Sequence, residues 1–115
     1  IINSVHHSLN NVLEFRHISW WNENVFAQFK KRKLIFCGVS FPKLPVPIMA
    51  TTANIYYRFH GVPVLYKSIY TENFIENIYQ QIKTFKPKEA WIYFNNTWGE
   101  AAIINSKYLQ KLAIL

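Results

Sequence analysis

The chain has 115 residues, half of them hydrophobic and 17% aromatic, a composition typical of a packed globular protein rather than a disordered one. This length allows one small domain with a modest core, and no apolar run approaches the roughly 18 residues of a membrane span. Thirteen Lys and Arg against six Glu give a net charge of +7, which directs attention to small anions and nucleic acid as partners.

The chain starts without a methionine and in the middle of a pattern. Apolar residues at helical spacing predict the end of a helix at Ile1, Ile2, Val5 and Leu9. We therefore expect residues 1–115 to be a single domain or the C-terminal part of a larger (β/α)-barrel domain.

Three elements follow in order. Val12 to His17 alternates apolar and polar residues as a strand does. Asn22 is a suitable N-cap for a helix. The apolar stripe of this helix consists of Val25, Phe26 and Phe29. Leu34 to Val39 is continuously apolar, as in a strand covered on both faces of a parallel sheet.

The single cysteine, Cys37, lies in the last of these segments and has no second cysteine to pair with. A lone cysteine favours a reducing compartment, so we expect a cytoplasmic protein. In an apolar run, a thiol is more often a small core side chain than a nucleophile.

The second half of the chain repeats the strand and helix pattern. The proline-rich stretch FPKLPVP predicts a loop, and Ile55 to His60 alternates as a strand. Thr71 caps an amphipathic helix that ends before Pro87, and Ala90 to Asn96 reads as another strand. A last helix opens at Gly99 and Glu100. Its predicted apolar side carries Ile104, Tyr108 and Leu112.

Strands that alternate with helices predict an α/β fold with a parallel sheet. Four strands and about three helices amount to half of a parallel (β/α) TIM-barrel-like fold, whose complete form takes about 250 residues. The alternative, a doubly wound sheet, usually has a glycine-rich turn after its first strand, and this chain has only three glycines.

Polar residues stand at the C-terminal ends of three predicted strands, where barrel enzymes place their functional groups. If the apolar faces lie under the helices, Glu14, Arg16, Arg58 and His60 point into the barrel mouth, joined by either Asn95 or Asn96. Two arginines with one carboxylate leave this mouth positive, and arginine suits phosphate or carboxylate. The structural alternative is that an arginine simply pairs with Glu14 and that the asparagines cap the last helix.

We therefore predict a small anionic ligand, with two sets of residues around it. The candidate catalytic residues, which would move a proton, are Glu14 and His60. The candidate ligand-binding residues are Arg16, His17, Arg58, Asn95 and Asn96. Glu14, His17 and His60 have no spacing typical of a metal site, so we predict no metal at this site. The sequence leaves the cofactor unknown.

Nucleic-acid binding is the alternative function. It depends on the net charge and on the basic run from Lys30 to Lys33 at the end of the first helix, where cations also complement the helix dipole.

Three stretches resemble motifs of the YecE-like family of domains of unknown function. They are EFRHISW at Glu14 to Trp20, YYRFHG at Tyr56 to Gly61, and WIYFNNTWGEAAIIN at Trp91 to Asn105. Their order and spacing match the C-terminal half of that family. The resemblance implies a TIM-barrel-like fold and a bacterial or archaeal cytoplasmic protein of uncharacterised function.

The family's N-terminal half has no counterpart in this chain. Four parallel strands cannot close a barrel, which needs about eight. We therefore expect the missing N-terminal half or a second copy to complete the sheet.

Overall fold

The computed structural model describes residues 11–114, so the helix predicted over residues 1–9 lies outside the described residues. The described strands are β1 (Val12–Leu13), β2 (Ile35–Phe36), β3 (Gly38–Ser40), β4 (Asn54–Phe59) and β5 (Glu89–Phe94). The α-helices are α1 (Glu23–Arg32), α2 (Glu72–Thr84) and α3 (Ala101–Ile114). Within residues 11–114, none of the helices has the length and apolarity to cross a bilayer.

Every pairing between these strands is parallel, as the alternation of strands and helices predicts. β1 pairs with β2, whereas β3 pairs with β4, which in turn pairs with β5. The expectation of an α/β fold with a parallel sheet and three helices is therefore confirmed.

The predicted strand Leu34 to Val39 is divided at Cys37. Before Cys37 the chain pairs with β1, and after it the chain pairs with β4 on the other side. The Cys37 N–H still donates to the Leu13 carbonyl at 3.0 Å. The ladder of β1 ends at Leu13, so this strand is shorter than the predicted Val12 to His17. A short 3-10 helix follows at Ile18–Trp20.

Both predicted helix caps are confirmed. The Asn22 side chain accepts a hydrogen bond from the Val25 N–H at 2.9 Å, and the Thr71 hydroxyl accepts one from the Phe74 N–H at 3.2 Å. Each bond satisfies a backbone donor that the first turn of a helix leaves unpaired.

Two apolar clusters lie between the strands and the helices. One packs alternate residues of β4 against α2. Its buried strand and helix residues include Ile55, Tyr57, Phe59, Ile75, Ile78 and Ile82. The other joins α1 to β2 through Phe26, Phe29, Leu34 and Phe36. Full burial of such side chains stabilises the fold by about 1.5–3 kcal/mol each, so these clusters fix which face of each strand is covered.

The predicted apolar side of the last helix is wrong at one position. Tyr108 and Leu112 pack against the first cluster, but Ile104 is 49% exposed. The buried position beside it is occupied by Asn105, which hydrogen-bonds the backbone of Tyr70. A buried amide with satisfied hydrogen bonds has displaced the apolar residue that helical periodicity favours.

Candidate functional site

Alternation along β4 separates its covered residues from its functional ones. Ile55, Tyr57 and Phe59 are buried under α2. Arg58, on the opposite face, keeps 30% of its side chain exposed. This is the parity that the sequence predicts, because successive side chains of a strand point to opposite faces.

Glu14 lies at the centre of the predicted cluster. Its Oε2 accepts from Arg16 Nε at 2.7 Å, and its Oε1 accepts from Arg58 Nη1 at 3.0 Å. His60 Nε2 lies 3.2 Å from Oε2. The chain thus brings together four residues that sequence analysis selects; we call this group the Glu14 site.

The electrostatics of Glu14 are dominated by its three partners. Burial of the carboxyl raises its pKa, but His60, Arg16 and Arg58 outweigh this effect and lower the pKa from 4.5 to about 2. Glu14 is therefore a carboxylate across the neutral pH range. One negative charge beside two guanidinium groups leaves the site with a net positive charge.

His60 is fully buried beside Glu14, which its Nε2 contacts at 3.2 Å. Its side chain has no solvent exposure, and its Nδ1 has no hydrogen-bond partner among residues 11–114. The Phe41 and Tyr66 rings lie edge-on to the imidazole, with centroids at 5.5 and 6.2 Å. A buried polar group without partners is costly, so this ring points to a ligand or a water molecule.

Arg16 contacts the same two aromatic residues as His60. Its guanidinium carbon lies 4.7 Å from the centroid of the Phe41 ring, a cation–π distance. Burial lowers the pKa of Arg16, but hydrogen bonds to the Tyr66 hydroxyl and to Glu14 more than offset this and raise it. Arg16 therefore stays charged, and 45% of its side chain is exposed to solvent.

Sequence analysis does not identify Tyr66, which lies in the loop after β4. Its backbone φ is +64°, a left-handed conformation that bulky residues rarely adopt. The Tyr66 N–H donates to the His60 carbonyl at 2.6 Å, and the Tyr66 carbonyl accepts from the Trp98 N–H at 3.1 Å. The sequence signal that points towards this loop is the pair His60–Gly61 at the end of the YYRFHG motif, because Gly61 begins the loop that carries Tyr66.

Gly61 is required by the shape of that loop. Its φ is +109°, and a Cβ at this position would lie 2.8 Å from the Tyr66 nitrogen and from the Val64 carbonyl oxygen. Both contacts are too short and both involve backbone atoms, so a side chain here would displace Tyr66.

A cavity of about 360 Å³ adjoins the Glu14 site on the open face of the sheet. It is lined by Asn11, Val12, Glu14, Cys37, Tyr56 and Arg58. The Cys37 thiol lies 3.6 Å from Glu14 Oε1. Burial first, and the Glu14 charge second, raise the pKa of this thiol, so it is a protonated, weakly nucleophilic group.

A larger, open hollow of about 570 Å³ lies along α2, away from the strand ends. Its lining is Asn73, Glu76, Asn77, Gln80, Gln81 and Thr84. These are amides, a hydroxyl and one carboxylate on a helix surface. The Glu14 site, with its convergent charges and a buried histidine, is the better candidate.

The remaining predicted residues make hydrogen bonds outside the Glu14 site. The His17 ring caps the short 3-10 helix by accepting from the Ser19 N–H at 3.2 Å. Asn96 is buried and donates to the Ser68 carbonyl and to Asn105 Oδ1, both at 2.9 Å. Asn95 is half-buried just beyond β5, and its N–H donates to the Phe59 carbonyl at 2.7 Å.

Metal-ligand chemistry has little support in the described part of the chain. Residues 11–114 contain no group of three His, Cys, Asp or Glu side chains arranged to hold a metal ion.

Comparison with known proteins places this site in a family. The model of the family described as "Protein of unknown function DUF72" matches residues 1–114. The chain belongs to the DUF72 family. The resemblance to YecE-like proteins drawn from the three motifs is thereby confirmed. No curated protein matches the chain.

Solved DUF72 structures have the same fold. A DUF72 family protein from Thermotoga maritima is 28% identical, with a TM-score of 0.81, over 93% of this chain and 47% of its own. Two structures of a DUF72 family protein from Enterococcus faecalis, 21% and 23% identical, give TM-scores of 0.81 and 0.76. Each of these two matches covers 93% of this chain, and they cover 48% and 49% of the Enterococcus faecalis chains. The chain spans about half the length of these proteins.

Proposed function

We propose that the protein binds a small ligand carrying a phosphate or carboxylate group at the C-terminal ends of its strands. The observation that carries this proposal is the Glu14 site, where one carboxylate is shared by Arg16, Arg58 and His60. Glu14 balances only part of the positive charge and holds the guanidinium groups in place. An anion entering the adjoining cavity would meet Arg58, which lines it.

If the protein is an enzyme, we assign proton transfer to His60 and the positioning of the cations to Glu14. A carboxyl with a pKa of about 2 is already ionised at neutral pH, so it has no proton to donate and is a weak base. The His60 imidazole contacts the Glu14 carboxylate through Nε2, while its Nδ1 has no hydrogen-bond partner among residues 11–114, so we assign the exchange of a proton with a bound ligand to this ring.

We further propose that this chain is half of a TIM-barrel-like fold. The parallel pairings and the position of the Glu14 site beyond β1 and β4 support this architecture. In such a barrel the face that carries Glu14 and Arg58 would line the interior. The N-terminal half of a longer protein, or a second copy, would supply the other strands.

The experiment replaces Arg58 with alanine and measures phosphate binding by isothermal titration calorimetry. Losing a charge-assisted bond in a partly buried site should weaken binding about 10- to 100-fold. Lys107→Ala, which removes an exposed cation on α3, is the control and should change affinity less than about twofold. Equal phosphate affinity in the Arg58 variant and the original protein would refute the proposal.

A second candidate, nucleic-acid binding, is supported by the distribution of lysines. Lys30, Lys31 and Lys33 are exposed where α1 ends, and Lys83, Lys86 and Lys88 are exposed between α2 and β5. Both groups precede strands, so they lie at the amino end of the sheet, opposite the Glu14 site.

Salt dependence tests this second candidate separately. Binding of a single-stranded oligonucleotide should fall steeply with salt, and Lys30→Glu with Lys31→Glu should weaken it without changing phosphate affinity. Absence of binding at low salt would remove it.

A further inference from the structure

We infer that the ligand of the Glu14 site carries a ring next to its anionic group, and that the ring packs on the exposed face of Tyr66. This inference rests on the proposed function and adds the class of ligand: a phosphorylated sugar or nucleoside rather than a small inorganic or acyclic anion. Trp98, whose N–H donates to the Tyr66 carbonyl, is a second exposed aromatic residue beside this loop.

The position of Tyr66 is imposed at an energetic cost. A non-glycine residue at φ +64° is strained, and such strain persists where surrounding contacts enforce it, most often at functional sites. Here the enforcing contacts are backbone hydrogen bonds on both sides of Tyr66, to the His60 carbonyl and from the Trp98 N–H. The strain holds an aromatic ring beside the positive groups of the site.

The ring of Tyr66 is available to a ligand. Tyr66 is 45% exposed and Trp98 is 67% exposed. Tyr66 lies edge-on to His60 and contacts Arg16, whose side chain is itself 45% exposed. An aromatic surface beside guanidinium groups matches a ligand that has a flat face and a negative charge.

The experiment compares three probes by titration calorimetry: inorganic phosphate, ribose 5-phosphate and adenosine 5′-monophosphate. We expect the ring-bearing phosphates to bind at least about tenfold more tightly than inorganic phosphate. Stacking on an aromatic side chain is worth about 5- to 100-fold in affinity, so Tyr66→Ala should weaken the ring-bearing phosphates by more than it weakens inorganic phosphate and should remove most of this difference. Tyr66→Phe should retain it, and Tyr79→Ala, on α2, is the matched control.

Each outcome separates the inference from the proposed function. Phosphate binding without preference for a ring, or equal weakening of all probes by Tyr66→Ala, would overturn the inference and leave the anion site standing. No binding of any probe would overturn both. Tighter binding of the adenosine phosphate than of the ribose phosphate would assign the ring to a base, and equal binding would assign it to the sugar. Near-ultraviolet circular dichroism verifies that each variant is folded, and the comparison of the three probes on the original protein provides the test if Tyr66→Ala does not fold.

Discussion

The Glu14 carboxylate and the Arg58 guanidinium are 44 positions apart in the sequence and meet at 3.0 Å. Glu14 follows β1 and Arg58 belongs to β4, with residues 35–40 lying between them in the sheet. The pair therefore spans three neighbouring segments of the chain. Because Glu14 also contacts Arg16 and His60, the ionisation of one carboxyl affects both the stability of this sheet end and its ability to hold an anion.

Acid should destabilise the protein through Glu14. A carboxyl whose pKa is lower in the folded chain contributes stability above its unfolded pKa, and this contribution is lost as the pH falls through the folded pKa. For Glu14 the window runs from 4.5 down to about 2, and the contribution is at most about 3 kcal/mol at neutral pH. Urea unfolding at fixed protein concentration and a series of pH values measures it.

Glu14→Gln provides the comparison for that series. At pH 7 this variant should be less stable by about 1–3 kcal/mol, because two guanidinium groups lose their carboxylate. The difference between the two proteins should shrink between pH 4.5 and 2.5. A difference that stays constant over this range would mean that Glu14 does not titrate as described.

Asn105 should hold the loop that carries Tyr66. Its amide bonds both the N–H and the carbonyl of Tyr70, and the Tyr70 hydroxyl donates to Ser40 Oγ at 2.8 Å and accepts from the Gly61 N–H at 2.7 Å. Asn105→Ala leaves buried polar groups without partners, so we expect a loss of about 2–4 kcal/mol in unfolding free energy. Amide hydrogen exchange in residues 61–70 should accelerate.

Asn77→Ala is the matched control for Asn105, since Asn77 is exposed on α2 and its side chain accepts a hydrogen bond from Gln81 at 2.8 Å. Its stability should change by no more than about 0.5 kcal/mol. If both variants lose the same stability, the amide of Asn105 does not anchor the loop.

Cys37 should resist alkylation in the folded protein. Its raised pKa and its burial keep the thiol protonated, so iodoacetamide at pH 8 should react at least about 100-fold more slowly than with the urea-unfolded chain. Mass spectrometry of timed samples gives both rates. Equal rates would instead identify an accessible thiolate and make Cys37 a candidate nucleophile.

Local patterns in the sequence are sufficient for most of the fold. Alternation predicts which residues of β4 face α2, and the capping side chains of Asn22 and Thr71 mark where two helices begin, because both signals depend on near neighbours in the chain. The change of pairing partner at Cys37 depends on two distant strands. The continuous apolar run in the sequence does not indicate where the pairing partner changes.

The candidate site divides in the same way. Parity places Glu14, Arg16, Arg58 and His60 on one face, and the structure brings them together. Tyr66 is missed because its left-handed backbone is imposed by contacts with His60 and Trp98, and tyrosine has no preference for that conformation. The sequence predicts that Asn96 binds a ligand at the end of its strand, but Asn96 donates to Asn105 instead. Helical periodicity does not reveal this partner, because it favours an apolar residue at the buried position that Asn105 occupies.

The last prediction concerns the exposed surfaces at β5 and α3. Among residues 11–114, β5 pairs on one side only, with β4, and this side of the molecule exposes Tyr93 by 47%, Ile103 by 57% and Ile104 by 49%. Unpaired strand backbone beside large apolar side chains promotes association. We therefore expect the 115-residue chain to associate with a second copy.

Sedimentation velocity over a range of concentrations tests this expectation. The chain should sediment as a dimer or larger species, and Ile103→Glu should shift it towards monomer because it places a charge on the exposed face of α3. Phe85→Glu changes an equally apolar residue, 48% exposed after α2, and should leave the sedimentation coefficient unchanged. A monodisperse monomer that unfolds cooperatively would contradict this prediction, because it would show that the fold is stable with the free edge of β5 exposed to solvent.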